Sequence, residues 1–147
     1  MNKRVHIGIS ETPLSVEAAL SFVADSGHGA AASFIGQVRD RNHGRDVTGV
    51  SYDVFDALAL RTFDEMSQEA LSRWGSDLRI WLEHFKGRLE VGAPSIVIVV
   101  SSPHRDEAFQ ACRYLIEEVK RRSPIWKQEH YRDGDSEWVQ GHALCQH

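Results

Sequence analysis

The order of the predicted elements places this chain among the α+β folds. Hydrophobic periodicity predicts the order β-α-β-β-α-β-β-α, which contains the β-α-β-β-α-β pattern of split antiparallel folds. The order lacks the strict strand–helix alternation of a doubly wound sheet. The sequence contains neither GxGxxG nor a P-loop, so the common nucleotide-binding loops are missing. With 147 residues, 41% of them hydrophobic, the chain is expected to form one domain, 1–147, with a sizeable core.

A strand and a helix are predicted at the start of the chain. Apolar Val5, Ile7 and Ile9 alternate with polar or small neighbours, which is the pattern of a half-buried strand. Thr12 and Pro13 predict the start of a helix, because threonine can cap a helix and proline is tolerated at its first position. The helix is expected to end at the glycine-containing segment that follows.

Two further strands are predicted next, joined by a polar segment. The first covers residues 32–38 and ends at Arg39, and Gly36 within it indicates a bulge or a close approach of the backbone. Residues 40–46 are expected to form a flexible loop. The strand over residues 50–54 is expected to be the hairpin partner of the strand before the loop.

A long helix and two strands follow. The apolar stripe over residues 57–74 predicts a helix, which Gly75 is well placed to end. Residues 78–82 alternate as a strand, and residues 84–94 read as a connection in which residues 89–91 can pair briefly. The continuous β-branched run at 95–100 predicts a strand that is buried on both faces.

The last predicted helix is the third. Residues 101–103 offer cap candidates and a first-position proline, and the helix is expected to reach about Arg122, where Pro124 stops it. A turn at 133–135 and a short strand at 137–139 are expected beyond it. The tail after about residue 139 gives no clear signal.

Two lysines stand out near the end of the third helix. At 100° per residue, an apolar face about 120° wide is formed by residues of this helix, namely Ala108, Phe109, Cys112, Leu115, Ile116 and Val119. Lys120 falls at the edge of this face, while Lys127 follows the helix-breaking Pro124 and the apolar Trp126. Lys120 is either a snorkelling side chain that covers the core or an amine that reaches a pocket.

If Lys127 lies beside Lys120 in a partly dry pocket, repulsion and desolvation would lower the pKa of both amines. An amine with a lowered pKa can act as nucleophile or base, and a charged one can hold an anion. The alternative is a basic helix end that offsets the negative end of the helix dipole.

The other end of the third helix holds His104 and Arg105. Backbone N–H groups of a first turn favour anions, and arginine adds a planar fork for phosphate or carboxylate. Asp106 and Glu107 offer the alternative, which is simple charge compensation. Arg105 and Lys120 are about 22 Å apart along the helix, so either one end alone is functional or a second subunit completes a composite site. Arg39 is a further anion-contact candidate, with a solvated arginine as the alternative.

Composition excludes several classes of protein. The net charge of −4 argues against nucleic-acid binding. Cys112 and Cys145 form no CxxC, so neither a zinc site nor a disulfide framework is indicated, and the thiols fit a reducing cytosol. The histidines show no ligand spacing, and no metal is predicted. The N-terminus lacks a signal-peptide pattern, and no apolar run reaches membrane-spanning length. A cytoplasmic protein with no membrane association is therefore expected.

Several motifs resemble one known family. PHRDEAF at 103–109 and SPIWKQE at 123–129 are specific at this separation, and weaker matches extend the similarity over roughly residues 34–138. The chain is similar to the large, catalytic subunit of molybdopterin synthase. The resemblance implies a hammerhead-type α+β fold with a small extra antiparallel subdomain. It implies sulfur transfer that converts cyclic pyranopterin monophosphate (precursor Z) into molybdopterin, in molybdenum cofactor biosynthesis, with no cofactor of its own.

The resemblance also implies partners and roles for residues. The sulfur donor would be the thiocarboxylated C-terminal Gly-Gly of a small ubiquitin-like subunit, in a heterotetramer built around a homodimer of this chain. Lys120 and Lys127 would be catalytic, and the substrate-binding residues would be Arg39, His104 and Arg105, the last two from the neighbouring subunit. Phe85 and Ala93 replace a basic and an acidic residue of the family pattern, which bears on substrate or partner details.

Two other classes of function stay open from the sequence. A non-catalytic α+β ligand-binding or regulatory module would share the same order of elements, because fold alone does not decide function. RNA binding is disfavoured, since the predicted strands contain no aromatic-basic run and the net charge is negative.

Overall fold

The computed structural model describes residues 4–140, and its strands form two sheets. In chain order, the elements are β1 (Val5–Ser10), α1 (Val16–Val23), β2 (Ala30–Gln37), β3 (Arg41–Asn42), β4 (Arg45–Val54), α2 (Asp56–Trp74), β5 (Arg79–Phe85), β6 (Gly87–Glu90), β7 (Pro94–Ser102), α3 (Arg105–Arg122), β8 (Ile125–Tyr131), β9 (Gly134–Asp135) and β10 (Val139–Gln140). The three helices within residues 4–140 and the mixed and antiparallel sheets confirm the predicted α+β class.

The first sheet has the order β1-β5-β7-β2 and holds the core. Only the β1–β5 pair is parallel. Side chains of β7 alternate between two apolar clusters: Ile98 packs with α2 and α3, whereas Val97 and Val99 pack with α1. Since residues 95–100 are all buried, the prediction of a strand covered on both faces is confirmed. Fully burying one such side chain contributes about 1.5–3 kcal/mol.

The second sheet is antiparallel and is built around β4, which pairs with β3, β6 and β8. The predicted hairpin between the strands at 32–38 and 50–54 is wrong, because β2 pairs with β7 instead. The predicted loop over residues 40–46 is also wrong in part. His43 and Gly44 both have positive φ, 52° and 72°, and close a tight β3–β4 hairpin. Alternation predicts a strand but not its partner, which here lies far along the chain.

The starts of α1 and α3 differ from the prediction. Helix α1 begins after Ser15, whose hydroxyl accepts from the Ala18 N–H at 3.0 Å, rather than at Thr12. Helix α3 begins after His104, because β7 extends through Ser102 and uses the predicted cap residues as strand. The end of α2 at Gly75, with φ 137°, is confirmed.

Four smaller differences concern the second half of the chain. The connection at 84–94 contains β6, and residues after Pro124 form β8, which was not predicted. The last strand, β10, begins two residues later than the predicted one at 137–139. Phe109 is 63% exposed rather than part of the apolar face, because the buried stripe of α3 centres on the Ala108–Leu115 line. Within residues 4–140, no helix is both long and apolar enough to cross a membrane.

Candidate active site

A cavity of about 350 Å³ lies where the two sheets and α3 meet. Its walls come from β2, β4, β5, β7, α3 and β8, so it depends on the whole tertiary arrangement. Three cationic side chains line it, and they are Arg39, Lys120 and Lys127. The sequence therefore predicted three residues that the fold brings to one cavity, although they come from three separate segments.

Lys127 lies on β8, directly opposite Tyr52 of β4 in the antiparallel register. Residues opposite each other point to the same face of a sheet, and both side chains line the cavity. Burial lowers the pKa of Lys127, Arg39 lowers it further, and the carboxylate of Glu129 opposes the change. For Lys127, the predicted direction and the predicted part played by desolvation are both right, but the repelling charge comes from Arg39 rather than from a second lysine.

Lys120 lies in the last turn of α3, on the cavity side with Ile116 and Val119. The position at the edge of the apolar face, predicted from helical periodicity, is confirmed. Beneath it, His84 is 5% exposed, and its Nδ1 is 2.7 Å from the Phe85 carbonyl oxygen. Burial lowers the pKa of His84 to about 4, the bond to the carbonyl opposes this, and the charge of Lys120 lowers it further. His84 is thus a neutral imidazole in the cavity wall.

Tyr52 and Ser95 form the polar part of the cavity floor. The Tyr52 hydroxyl is hydrogen-bonded to Ser95, and burial raises its pKa. Its ring meets that of His84 edge-on, with 4.9 Å between centroids. Gly36 lies above this floor, where a Cβ atom would be 2.8 Å from Ile96 Cγ2. Because the β2–β7 register also shifts between Gly36 and the next residue, the predicted bulge and close approach are both confirmed.

Arg39 follows β2 and is exposed at the edge of the cavity. Its Nη2 donates to Oδ1 of Asn42 at 3.4 Å. Asn42 in turn donates to both carboxylate oxygens of Glu129, at 2.8 and 2.7 Å. The guanidinium is therefore connected to β8, the strand that also holds Lys127.

His104 and Arg105 lie at the opposite end of α3, away from the lysines. Both are exposed, and with Phe109 they line a second, open depression of about 640 Å³. This confirms the prediction from helix length that Arg105 and Lys120 belong to different pockets of one chain.

Sequence reasoning missed four polar residues that line the cavity, namely Gln37, Tyr52, His84 and Ser95, and it missed Asn42, which contacts Arg39. A predicted strand over residues 125–131 that paired with β4 would have placed Tyr52 beside Lys127. The sequence analysis did not predict β8. Cys112 is buried, as predicted, and burial raises the pKa of its thiol to about 11; Cys145 lies outside the described residues. Residues 4–140 contain no group of three or more metal-ligating side chains.

Comparison with known proteins identifies the family. The pattern of the MoaE protein family matches residues 9–122. This chain belongs to the MoaE family. The molybdopterin synthase catalytic subunit of Synechococcus elongatus is 50% identical over 143 residues, which is 97% of this chain and 87% of that protein. The subunit of the same name from Pyrococcus abyssi is 41% identical over 128 residues, covering 86% and 84%.

Solved structures agree with this assignment. Molybdopterin synthase from Staphylococcus aureus superposes with a TM-score of 0.83 at 29% identity, covering 95% of this chain and 98% of that one. A chain from a Helicobacter pylori complex of subunits 1 and 2 of molybdopterin-converting factor shares the fold, with a TM-score of 0.74 at 22% identity over 88% and 87% of the chains. The resemblance seen in the sequence is confirmed. This MoaE-family chain is an enzyme of molybdenum cofactor biosynthesis, so the alternative of a non-catalytic module is wrong.

Proposed function

We propose that the cavity binds cyclic pyranopterin monophosphate and that sulfur reaches it from the thiocarboxylated C-terminal Gly-Gly of a small ubiquitin-like partner. The observation that supports this best is the meeting of Arg39, Lys120 and Lys127 in one partly dry cavity. Both the substrate phosphate and the thiocarboxylate are anions, and half-buried cations such as Lys120 and Lys127 bind anions more strongly than fully exposed ones do.

The two lysines are assigned different roles. In the transfer, the thiocarboxylate sulfur bonds to a substrate carbon as a carbon–oxygen bond of the substrate breaks, and water then cleaves the acyl–sulfur bond, which releases the partner as a carboxylate and leaves the sulfur on the substrate. Burial favours the neutral amine of Lys127, so this residue can take up the proton that the attacking water gives up. Lys120, whose charge lowers the pKa of His84, stabilises the negative charge of the thiocarboxylate and of the intermediate. The sulfur comes from the partner, and the chemistry therefore needs no reactive thiol here. Cys112, with a thiol pKa of about 11, is unsuited to such a role.

A second subunit is proposed to complete each cavity. His104 and Arg105 are exposed at the far end of α3 and suit an anion, yet they cannot reach the cavity of their own chain. A homodimer that places them at the partner's Lys120 side would add an imidazole and a guanidinium to each site. Together with two small subunits this gives a heterotetramer. The Helicobacter pylori structure, itself a complex of two different subunits, supports a second type of subunit.

Two broader expectations are part of the same proposal. Residues 1–147 are taken as one catalytic domain, and a cytoplasmic location is inferred because Cys112 is a free thiol in the core.

Reconstitution tests the proposed function. Thiocarboxylated small subunit and cyclic pyranopterin monophosphate are supplied, and dithiolene formation is followed for wild type, Lys120→Ala and Lys127→Ala. We expect a loss of roughly 10²–10⁴-fold for each variant, the usual effect of removing an acid–base or charge-stabilising group. Arg113→Ala is the matched control, because Arg113 lies on the same helix with its side chain 82% exposed. Wild-type rates in the two lysine variants would reject the assignment.

A further inference from the structure

The side-chain amide of Asn42 lies between the guanidinium of Arg39, at the edge of the cavity, and the carboxylate of Glu129. Asn42 Nδ2 donates to both oxygens of Glu129, at 2.8 and 2.7 Å, and Asn42 Oδ1 accepts from Arg39 at 3.4 Å. The donor end of the amide thus faces the carboxylate and its acceptor end faces the guanidinium. This is the orientation that satisfies both charged groups at once.

The β3–β4 hairpin fixes the position of Asn42. Asn42 pairs with Arg45 across the tight turn, and the Val47 N–H donates to the Asp40 carbonyl at 2.9 Å at the base of the hairpin. An ion pair of 2.9 Å between Arg41 and Asp46 joins the two strands on the exposed side. The amide is therefore placed by regular backbone pairing rather than by a loop.

Removing the amide would change the pairing of the charges. A guanidinium and a carboxylate with nothing between them form a short, often bidentate pair. Arg39 would then turn its N–H groups toward Glu129 and away from the cavity. The Tyr131 hydroxyl is hydrogen-bonded to Glu129 and to Asn42, and its pKa is raised by burial and by the carboxylate. Glu129 therefore keeps this second contact when the amide is removed.

We propose that Asn42 is a positioning residue that keeps Arg39 apart from Glu129, so that the guanidinium remains available to an anionic group of the substrate. The inference rests on the proposed function, in which Arg39 binds the phosphate-bearing substrate. It adds that the availability of Arg39 is set by a neutral side chain from the hairpin. It also predicts that a charge at position 42 is worse than the loss of the side chain.

Steady-state kinetics of the assembled synthase test the proposal. In Asn42→Ala, KM for cyclic pyranopterin monophosphate should rise roughly tenfold with kcat within about twofold, as expected for a lost binding contact. Asn42→Asp keeps the size of the side chain but pairs with Arg39, and its KM should rise further. Arg41→Ala is the control, because it weakens the same hairpin without touching the amide, and its KM should change by less than about twofold.

A double-mutant cycle isolates the route through Arg39. In an Arg39→Ala background, Asn42→Ala should raise KM by no more than about twofold, because the group it positions is gone. Equal increases in both backgrounds would overturn the proposal, as would a fall in kcat with KM unchanged.

Binding of inorganic phosphate to the chain without its small subunit separates this proposal from the proposed function. Phosphate affinity should fall in Asn42→Ala and in Asn42→Asp and stay near wild type in Arg41→Ala. If the wild-type enzyme formed no dithiolene, the proposed function would be wrong. The phosphate affinities would still show whether Asn42 positions Arg39 for an anion. Equal phosphate affinity in wild type and both Asn42 variants would refute it.

Discussion

Subunits with defects at opposite ends of α3 should complement each other. Lys120→Ala removes a group from the cavity of its own chain, whereas Arg105→Ala removes one that we place in the neighbour's cavity. The two positions are 15 residues apart on one helix, about 22 Å along its axis, so one chain cannot bring them together. In a mixed dimer, one composite site then contains both defects and the other contains none.

The size of the recovery follows from counting sites. When the two variants are co-expressed in equal amounts, half of the dimers are mixed, and each has one intact site. Activity should therefore reach about one quarter of wild type, against roughly 1% or less for either variant alone. The assay is dithiolene formation by dimers whose subunits carry different affinity tags.

The control pairs two defects of the same cavity. Co-expressed Lys120→Ala and Lys127→Ala subunits give mixed dimers in which every site lacks one lysine, so no recovery is expected. Recovery in this control, or activity no higher than the average of the parents in the test pair, would refute a composite site built from His104 and Arg105 of the neighbour.

Three further predictions concern stability and reactivity. His84 has a depressed pKa in the folded state, so the unfolded chain binds more protons between pH 6.5 and about 4. Stability should fall by roughly 3 kcal/mol as the pH is lowered across that range, as measured by urea unfolding. Gly36→Ala places a Cβ atom 2.8 Å from Ile96 Cγ2, and it should lower the free energy of unfolding by about 1–3 kcal/mol. In a Cys145→Ser background, Cys112, with a thiol pKa of about 11, should react with iodoacetamide at pH 8 only as fast as the chain unfolds.

Each of these predictions has a contradicting result. A pH slope that persists unchanged in His84→Gln would assign the effect to other groups. Ser33→Ala is an exposed substitution on the same strand. If Gly36→Ala had the same free energy of unfolding as Ser33→Ala, the residues around Gly36 would be able to move aside without cost. Rapid alkylation of Cys112 in the folded protein would contradict its burial.

Local patterns predicted the parts of this molecule that depend on local forces. The apolar stripe of α3 was enough to place Lys120 at the edge of the core. Gly36 indicated a close approach to its strand, although the sequence does not show that the approaching side chain is Ile96. The helix rise likewise separated Arg105 from Lys120. Each of these inferences needs only residues near one another in the chain.

Long-range pairing is what the sequence could not provide. The Asn42–Glu129 contact joins residues 87 positions apart, and it exists because β4 and β8 pair. Residues 125–131 were not recognised as a strand, so nothing connected Lys127 with Tyr52 across the sheet. Nothing in the spacing of His84 distinguishes it from the other histidines, because its significance lies in burial, which tertiary packing alone determines.

The Lys127→Arg substitution distinguishes a base from a fixed charge at this position, because arginine keeps the positive charge but cannot give up its proton at any working pH. The comparison is dithiolene formation by Lys127→Arg and by Lys127→Met, with assembly to the small subunit checked for both. If Lys127 accepts a proton, both variants should lose activity to a similar extent, roughly 10²–10⁴-fold. A Lys127→Arg enzyme with activity near wild type, beside an inactive Lys127→Met, would contradict the role of base and leave Lys127 as a charge that only holds the anion.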